Sequence, residues 1–223
     1  MNHFLRGLVA LLGVFCSACS SLAVTHQLVP RAEGARYEEH GAIGLDVWTP
    51  ISIPADYLRL ERQDISLTCA CQNFGSTDLF MGPLWFPVIP VFPITLFLDE
   101  LPGDPLLLML QLSPVRGTIE FVPGHVEVRD SDGHLLTLRQ VDAGSGDPEM
   151  AYPQRSASRS IPPLQPMTLS GPQAFWYVFD QDAAEEEEAF TITVRGATRD
   201  GITIELPQVT LERAKGLAFF MAP

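Results

Sequence analysis

From Tyr57 to its end the chain alternates apolar and polar residues in short runs. Ile65, Leu67, Cys69 and Cys71 fall on one face of an extended segment, and Ser66, Thr68, Ala70 and Gln72 on the other. The same period of two places Ile119 and Phe121 opposite Thr118 and Glu120. It places Val126 and Val128 opposite Glu127 and Arg129, and Phe190, Ile192 and Val194 opposite Thr191, Thr193 and Arg195. Tyr57–Glu61, Leu136 with Leu138, Ile202 to Leu206, and Val209 with Leu211 continue the series. Segments 106–112 and 174–180 are apolar on both faces, as strands covered on both sides should be. Asp132-Gly133 and Asp200-Gly201 supply the left-handed backbone that tight turns demand. No part of the chain after residue 18 has a 3.6-residue period. The pattern predicts an all-β fold, an antiparallel Ig-like β-sandwich of about eight to ten short strands spanning 57–223.

Three segments stand outside the alternation. Residues 20–56 are interrupted by Pro30, Gly34, Gly41, Gly44, Pro50 and Pro54 and predict an irregular approach, with 43–48 a candidate added strand. Residues 142–172 are rich in Gly, Ser and Pro and predict a long surface loop. Residues 79–98 carry no charge, a length that would suit a membrane-spanning helix. Pro83, Pro87, Pro90 and Pro93 exclude that helix, because each costs about 3 kcal/mol in a helix interior. They also lack the amides that a central strand needs. A Pro-rich apolar loop is expected. It either folds over the sandwich end or presents Trp85, Phe86, Ile89 and Phe92 to a partner or a membrane.

Composition changes the picture in two ways. Nineteen prolines and seventeen glycines agree with many turns and few long helices. The net charge of −13 gives a surface that repels phosphate backbones, so no nucleic-acid partner is expected.

The first eighteen residues read as a signal peptide: Arg6 is basic, residues 8–15 form an apolar run, and Ser17 and Ala18 are small. That run is too short to span about 30 Å of hydrocarbon. Ser17-Ala18-Cys19 resembles the lipobox of bacterial lipoproteins processed by the lipoprotein signal peptidase, although Cys16 stands where that family usually has leucine. The resemblance covers about the first tenth of the chain. It implies a diacylated Cys19 as the mature N-terminus, and a lipidated tether over 19–56. With Ser20 rather than aspartate next, it implies the periplasmic face of the bacterial outer membrane. Ordinary cleavage after Ala23, giving a soluble periplasmic protein, is the alternative. The spaced prolines after Gly82-Pro83 are similar to those of uncharacterised proteobacterial lipoproteins, a likeness that implies no function.

Candidate chemistry is sparse. Cys69 and Cys71 are two apart on one predicted strand, roughly 6.6 Å along an extended backbone. A disulfide needs Cβ atoms about 3.5–4.5 Å apart. Buried core thiols, a strained bond where the strand has ended, and a metal or redox site all remain open. No second ligand pair completes a zinc site, so no metal and no cofactor is expected. His125 and His134 read as solvated, Asp130 to Gly133 as a turn rather than a calcium loop, and Glu185 to Glu188 as a solvated charge run. The chain holds no nucleophile elbow, metalloprotease helix or phosphate loop. The expectation is therefore a non-enzymatic module, tied to membrane lipid through Cys19 and contacting an envelope protein partner. The alternative is a binding protein for a small apolar or glycan ligand, in a pocket lined by Trp48, Trp85 or Trp176.

Overall fold

The computed structural model describes residues 19–38, 49–52, 57–62, 64–71, 76–83, 92–94, 105–145, 158–182 and 189–221, and in it the alternating runs become strands of a β-sandwich. The first sheet contains β1 (Cys19–Arg31), β3 (Thr49–Ser52), β6 (Ser76–Pro83), β7 (Phe92–Ile94), β10 (Val126–Arg129), β15 (Ala189–Val194) and β18 (Val209–Met221). Its order is β10-β15-β18-β1-β6-β7, with β3 also on β18. The second contains β2 (Arg36–Glu38), β4 (Tyr57–Glu61), β5 (Ile65–Cys71), β8 (Pro105–Pro114), β11 (Leu138–Ser145), β12 (Arg159–Ser160) and β14 (Gln173–Asp182). These are ordered β12-β11-β14-β8-β5-β4-β2. A small third sheet joins β9 (Ile119–Phe121), β13 (Met167–Leu169), β16 (Ala197–Arg199) and β17 (Ile202–Thr203). The pairings within each sheet are antiparallel.

One continuous core lies between the sheets. Leu28, Val126, Val128, Phe190, Ile192, Val194, Val209 and Leu211 face it from the first sheet. Leu58, Leu60, Leu67, Cys69, Leu108, Leu110, Phe175, Tyr177 and Phe179 face it from the second, and Ile119, Phe121, Leu169 and Ala197 from the third. The inward residues of β14 form an aromatic ladder, with ring centroids 6.5 Å apart for Phe175 and Tyr177 and 6.2 Å for Tyr177 and Phe179. Phe121 meets Phe175 at 5.2 Å with the rings tilted by 59°, inside the range that aromatic pairs prefer. Cys69 and Cys71 are both buried on this inner face and are not joined in a disulfide, as the extended strand requires.

Four expectations need correction. The segment expected to be an irregular tether opens with a thirteen-residue strand, β1, hydrogen-bonded to β18 on one side and β6 on the other. Its partners are remote in sequence, so nothing local announces it. The segment 142–172 is no single loop: β11 runs on to Ser145, and β12 and β13 lie inside it. Asp132-Gly133 does not close a hairpin ladder. After the single bridge from Arg129 to Leu135 the chain crosses from the first sheet to the second, so β10 pairs with β15 and β11 with β14. Finally, the described residues hold eighteen strands where fewer were expected, because several ladders are only two or three residues long. Asp200-Gly201 does close a hairpin, between β16 and β17, with φ of 52° and 77°.

The two described prolines of the apolar stretch sit where a sheet tolerates them, and Pro87 and Pro90 lie outside the described residues. Pro83 ends β6, and Pro93 lies in β7 at the sheet edge. Among the described residues no helix is long and apolar enough to cross a membrane.

Candidate functional site

Cys19 is the first residue of β1 and stands opposite Pro83 of β6. Phe92 opens β7 opposite Met81, two residues along β6 from Pro83. The candidate lipidation residue and the candidate contact residue therefore lie at one end of one sheet. Trp85, Phe86 and Ile89 fall outside the described residues, as do Trp48 and Glu185 to Glu188.

The second place where the fold gathers functional groups is the outer face of the second sheet. Strand register aligns Tyr57, Ala70, Met109, Trp176 and Asp142 in one row across β4, β5, β8, β14 and β11. All five are buried, on the face turned away from the main core. A neighbouring row holds Thr68, Gln111 and Ala174, the first two buried and polar. An ordinary outer face of an antiparallel sheet is solvated and polar, so a buried tryptophan beside a buried carboxylate departs from the rule.

The site is built by small residues and short side chains. A Cβ on Gly144 would stand 3.0 Å from Cζ3 of the Trp176 indole, so any side chain there requires the ring lying across β11 to give way. The side-chain amide of Gln173 donates to the Gly144 carbonyl and ties β14 to β11 beside it. Gln140 Nε2 donates to Asp142 Oδ1 at 2.6 Å. The indole Nε1 of Trp176 is buried and has no hydrogen-bond partner among the described residues, a donor left unsatisfied at a cost of about 1–3 kcal/mol. The row thus brings together an aromatic body, a carboxylate held by Gln140, and an indole N–H without a partner among the described residues. Gly144→Val should push the indole out of place. It is expected to lower stability by about 1–3 kcal/mol in urea unfolding, with a shifted tryptophan emission.

Sequence reasoning named Trp176 as a pocket candidate but missed Tyr57, Met109 and Asp142. The missed signal is Val141-Asp142-Ala143, an acid flanked by two inward apolar residues and hence held on the outer face of a strand. At the Asp130 to Gly133 turn, the His134 amide donates to Asp130 Oδ1 at 2.7 Å and the His134 ring nitrogen Nδ1 lies 3.0 Å from Oδ2. That carboxylate fastens its own turn. Among the described residues no three His, Cys, Asp or Glu side chains converge to hold a metal ion.

The chain matches no protein-family model, and no curated protein matches it. Among solved structures it is similar to a chain described as the complete structure of manganese lipoxygenase of Gaeumannomyces graminis and partial structure of zonadhesin of Komagataella pastoris. The identity is 8%, over 90% of this chain and 85% of that one, with a TM-score of 0.22. A likeness of that size carries no argument about fold or activity.

Proposed function

We propose that this chain is an envelope lipoprotein, anchored through acylated Cys19 on the periplasmic face of the bacterial outer membrane, acting as a non-enzymatic interaction or structural module for an envelope protein. One observation carries the reading. Cys19, preceded by the small pair Ser17-Ala18, opens a strand at the same sheet end as Phe92, one of the residues expected to meet a membrane or partner. A lipid anchor of two or three acyl chains holds firmly where a single chain does not. Metabolic labelling with a clickable palmitate is expected to mark the wild-type chain and leave Cys19→Ser unlabelled, with the variant moving from the membrane to the soluble fraction. Label that persists in Cys19→Ser, or a soluble wild-type chain beginning at Val24, refutes the anchor and favours a soluble periplasmic protein.

The outer-face row supports a second reading, a periplasmic binding protein for a small apolar or glycan ligand. The orphan Trp176 N–H beside Asp142 is the observation in its favour. A ligand that raises the melting temperature of the wild type and not of Trp176→Phe would establish it. Equal shifts in both proteins would place the ligand elsewhere.

A further inference from the structure

The tether expected between lipid and domain is absent at its membrane end. Ser20, the residue after the proposed anchor, is already paired with Met221 of β18 and with Gly82 of β6. The pairing continues without interruption to Thr25 on both sides, opposite Gly216 and Thr77. One residue of backbone spans at most about 3.6 Å, so an acylated Cys19 leaves the sheet no room to stand off from the headgroups.

The composition of that sheet end fits such a position. Residues 19–23 of β1, 79–83 of β6, 92–94 of β7, 217–221 of β18 and 49–52 of β3 include no Asp, Glu, Lys, Arg or His. Register brings them side by side. Leu22 pairs with Phe219 and Phe80, Phe80 with Pro93, Met81 with Phe92, and Phe219 with Thr49. Successive residues of a strand alternate between faces, so five adjacent strands without a charge leave both faces of the end uncharged among the described residues. The first charges appear farther in, at Asp78 opposite Val24 and Lys215 opposite His26. Five residues of strand reach roughly 16 Å at about 3.3 Å each, enough to pass through a headgroup layer. The chain as a whole is strongly acidic, with net charge −13. An end whose described strand residues include no carboxylate is therefore the part least repelled by an anionic lipid surface.

We infer that this uncharged sheet end, formed by the start of β1, the end of β18, the β6 and β7 ends and β3, enters the lipid surface to which Cys19 is attached. The inference rests on the lipoprotein reading and adds an orientation to it. The acyl chains and the sheet end act as one two-part anchor, and the strands stand upright on the membrane with the β16–β17 hairpin farthest away. β18 runs from Phe220 back to Val209 over about 36 Å at 3.3 Å per residue. β15 pairs Ile192 with Val209 and leads on through Val194 to that hairpin.

The test places a fluorophore on the acylated full chain. Ala218→Cys and Phe220→Cys probe the sheet end, and Ile202→Cys, at a position 73% exposed, probes the hairpin. Cys69 and Cys71 are buried, and Cys19 is blocked by its lipid, so an environment-sensitive thiol dye added in detergent reacts at the new site. Each protein is then reconstituted into phosphatidylethanolamine–phosphatidylglycerol vesicles, with or without nitroxide-labelled lipid. At positions 218 and 220 the dye is expected to be blue-shifted and quenched several-fold more by nitroxide lipid than by iodide, with the reverse at 202. If iodide reaches 218 and 220 as freely as 202 while mass spectrometry shows an intact acyl group, the inference falls and the anchor stands. Shielding from both quenchers, with crosslinking of position 220 to its equivalent in a second molecule, assigns the end to self-association and also overturns it. A chain without acyl groups removes both readings. Agreement between the mild Ala218→Cys and the bulkier change at Phe220 excludes local misfolding as the source of the signal.

Discussion

Phe175→Ala is expected to cost about 3–5 kcal/mol, the range for emptying a phenylalanine site in a packed core. Phe175 is fully buried on β14 and touches Phe121 of the third sheet on one side and Tyr177 of its own strand on the other. It therefore joins two of the three sheets, and the cavity left by its removal opens between strands that cannot close on it without breaking their ladders. A domain of this size typically has about 5–15 kcal/mol of stability in all. The variant should unfold at a melting temperature roughly 6–20 °C lower. Denaturant unfolding with an unchanged m-value would assign the loss to packing. A loss under 1 kcal/mol would mean that the aromatic ladder is not the centre of the core.

Alkaline pH is expected to unfold the protein through two buried acids. Burial, with the neighbouring Cys71 adding to it, pushes the Cys69 thiol far above its ordinary range. Burial alone pushes the Tyr177 phenol well above its own. In the unfolded chain these groups lose their protons near pH 8.5 and 10. Between those values and the higher folded-state ones the folded protein binds more protons than the unfolded chain, so stability falls as pH rises. Each group contributes a slope of about 1.4 kcal/mol per pH unit in its window. From pH 9 to 11 Cys69 supplies the larger part of the loss, and Tyr177 adds to it above pH 10. Tyr177→Phe removes the second part. It also removes a buried hydroxyl that has no hydrogen-bond partner among the described residues, so its stability at pH 7 should equal or exceed the wild type. Cys69→Ala should start lower because of the cavity and decline less steeply above pH 9. Urea unfolding under reducing conditions at half-unit intervals of pH measures all three, and a flat wild-type profile to pH 11 would contradict this account.

Both predictions act on residues whose burial could be read in the sequence. The alternation at 190–194 survives intact in the burial of β15, whereas in β5 it separates two faces that are both largely buried, with Thr68 and Ala70 covered on the outer one. The doubly apolar segments 106–112 and 174–180 became β8 and β14, which lie side by side near the middle of the second sheet. The misses share a cause. β1 carries Ser20, Ser21, His26 and Pro30 and shows little period of its own. It becomes a strand because β18 and β6 supply its hydrogen bonds from elsewhere in the chain. The Asp132-Gly133 turn has correct local chemistry, with Gly133 at φ 85°, yet the choice between closing a hairpin and changing sheets lies with β14 and β15, the partners waiting on either side. The candidate site divides in the same way. The small residues before Cys19 are a local signal, whereas the convergence of Cys19 and Phe92 is a matter of register. The buried row from Tyr57 to Asp142 draws one residue from each of five strands, so beyond Trp176 and the acid within Val141-Asp142-Ala143 no single strand announces it.

The proposed anchor at Cys19 is tested most directly by mass spectrometry of the N-terminal peptide of the chain purified from bacterial membranes. Residues 1–18 are expected to be gone, with Cys19 as the first residue carrying a diacylglyceryl group on sulfur. An unmodified peptide beginning at Val24, or one that retains residues 1–18 with an unacylated Cys19, would contradict the anchor.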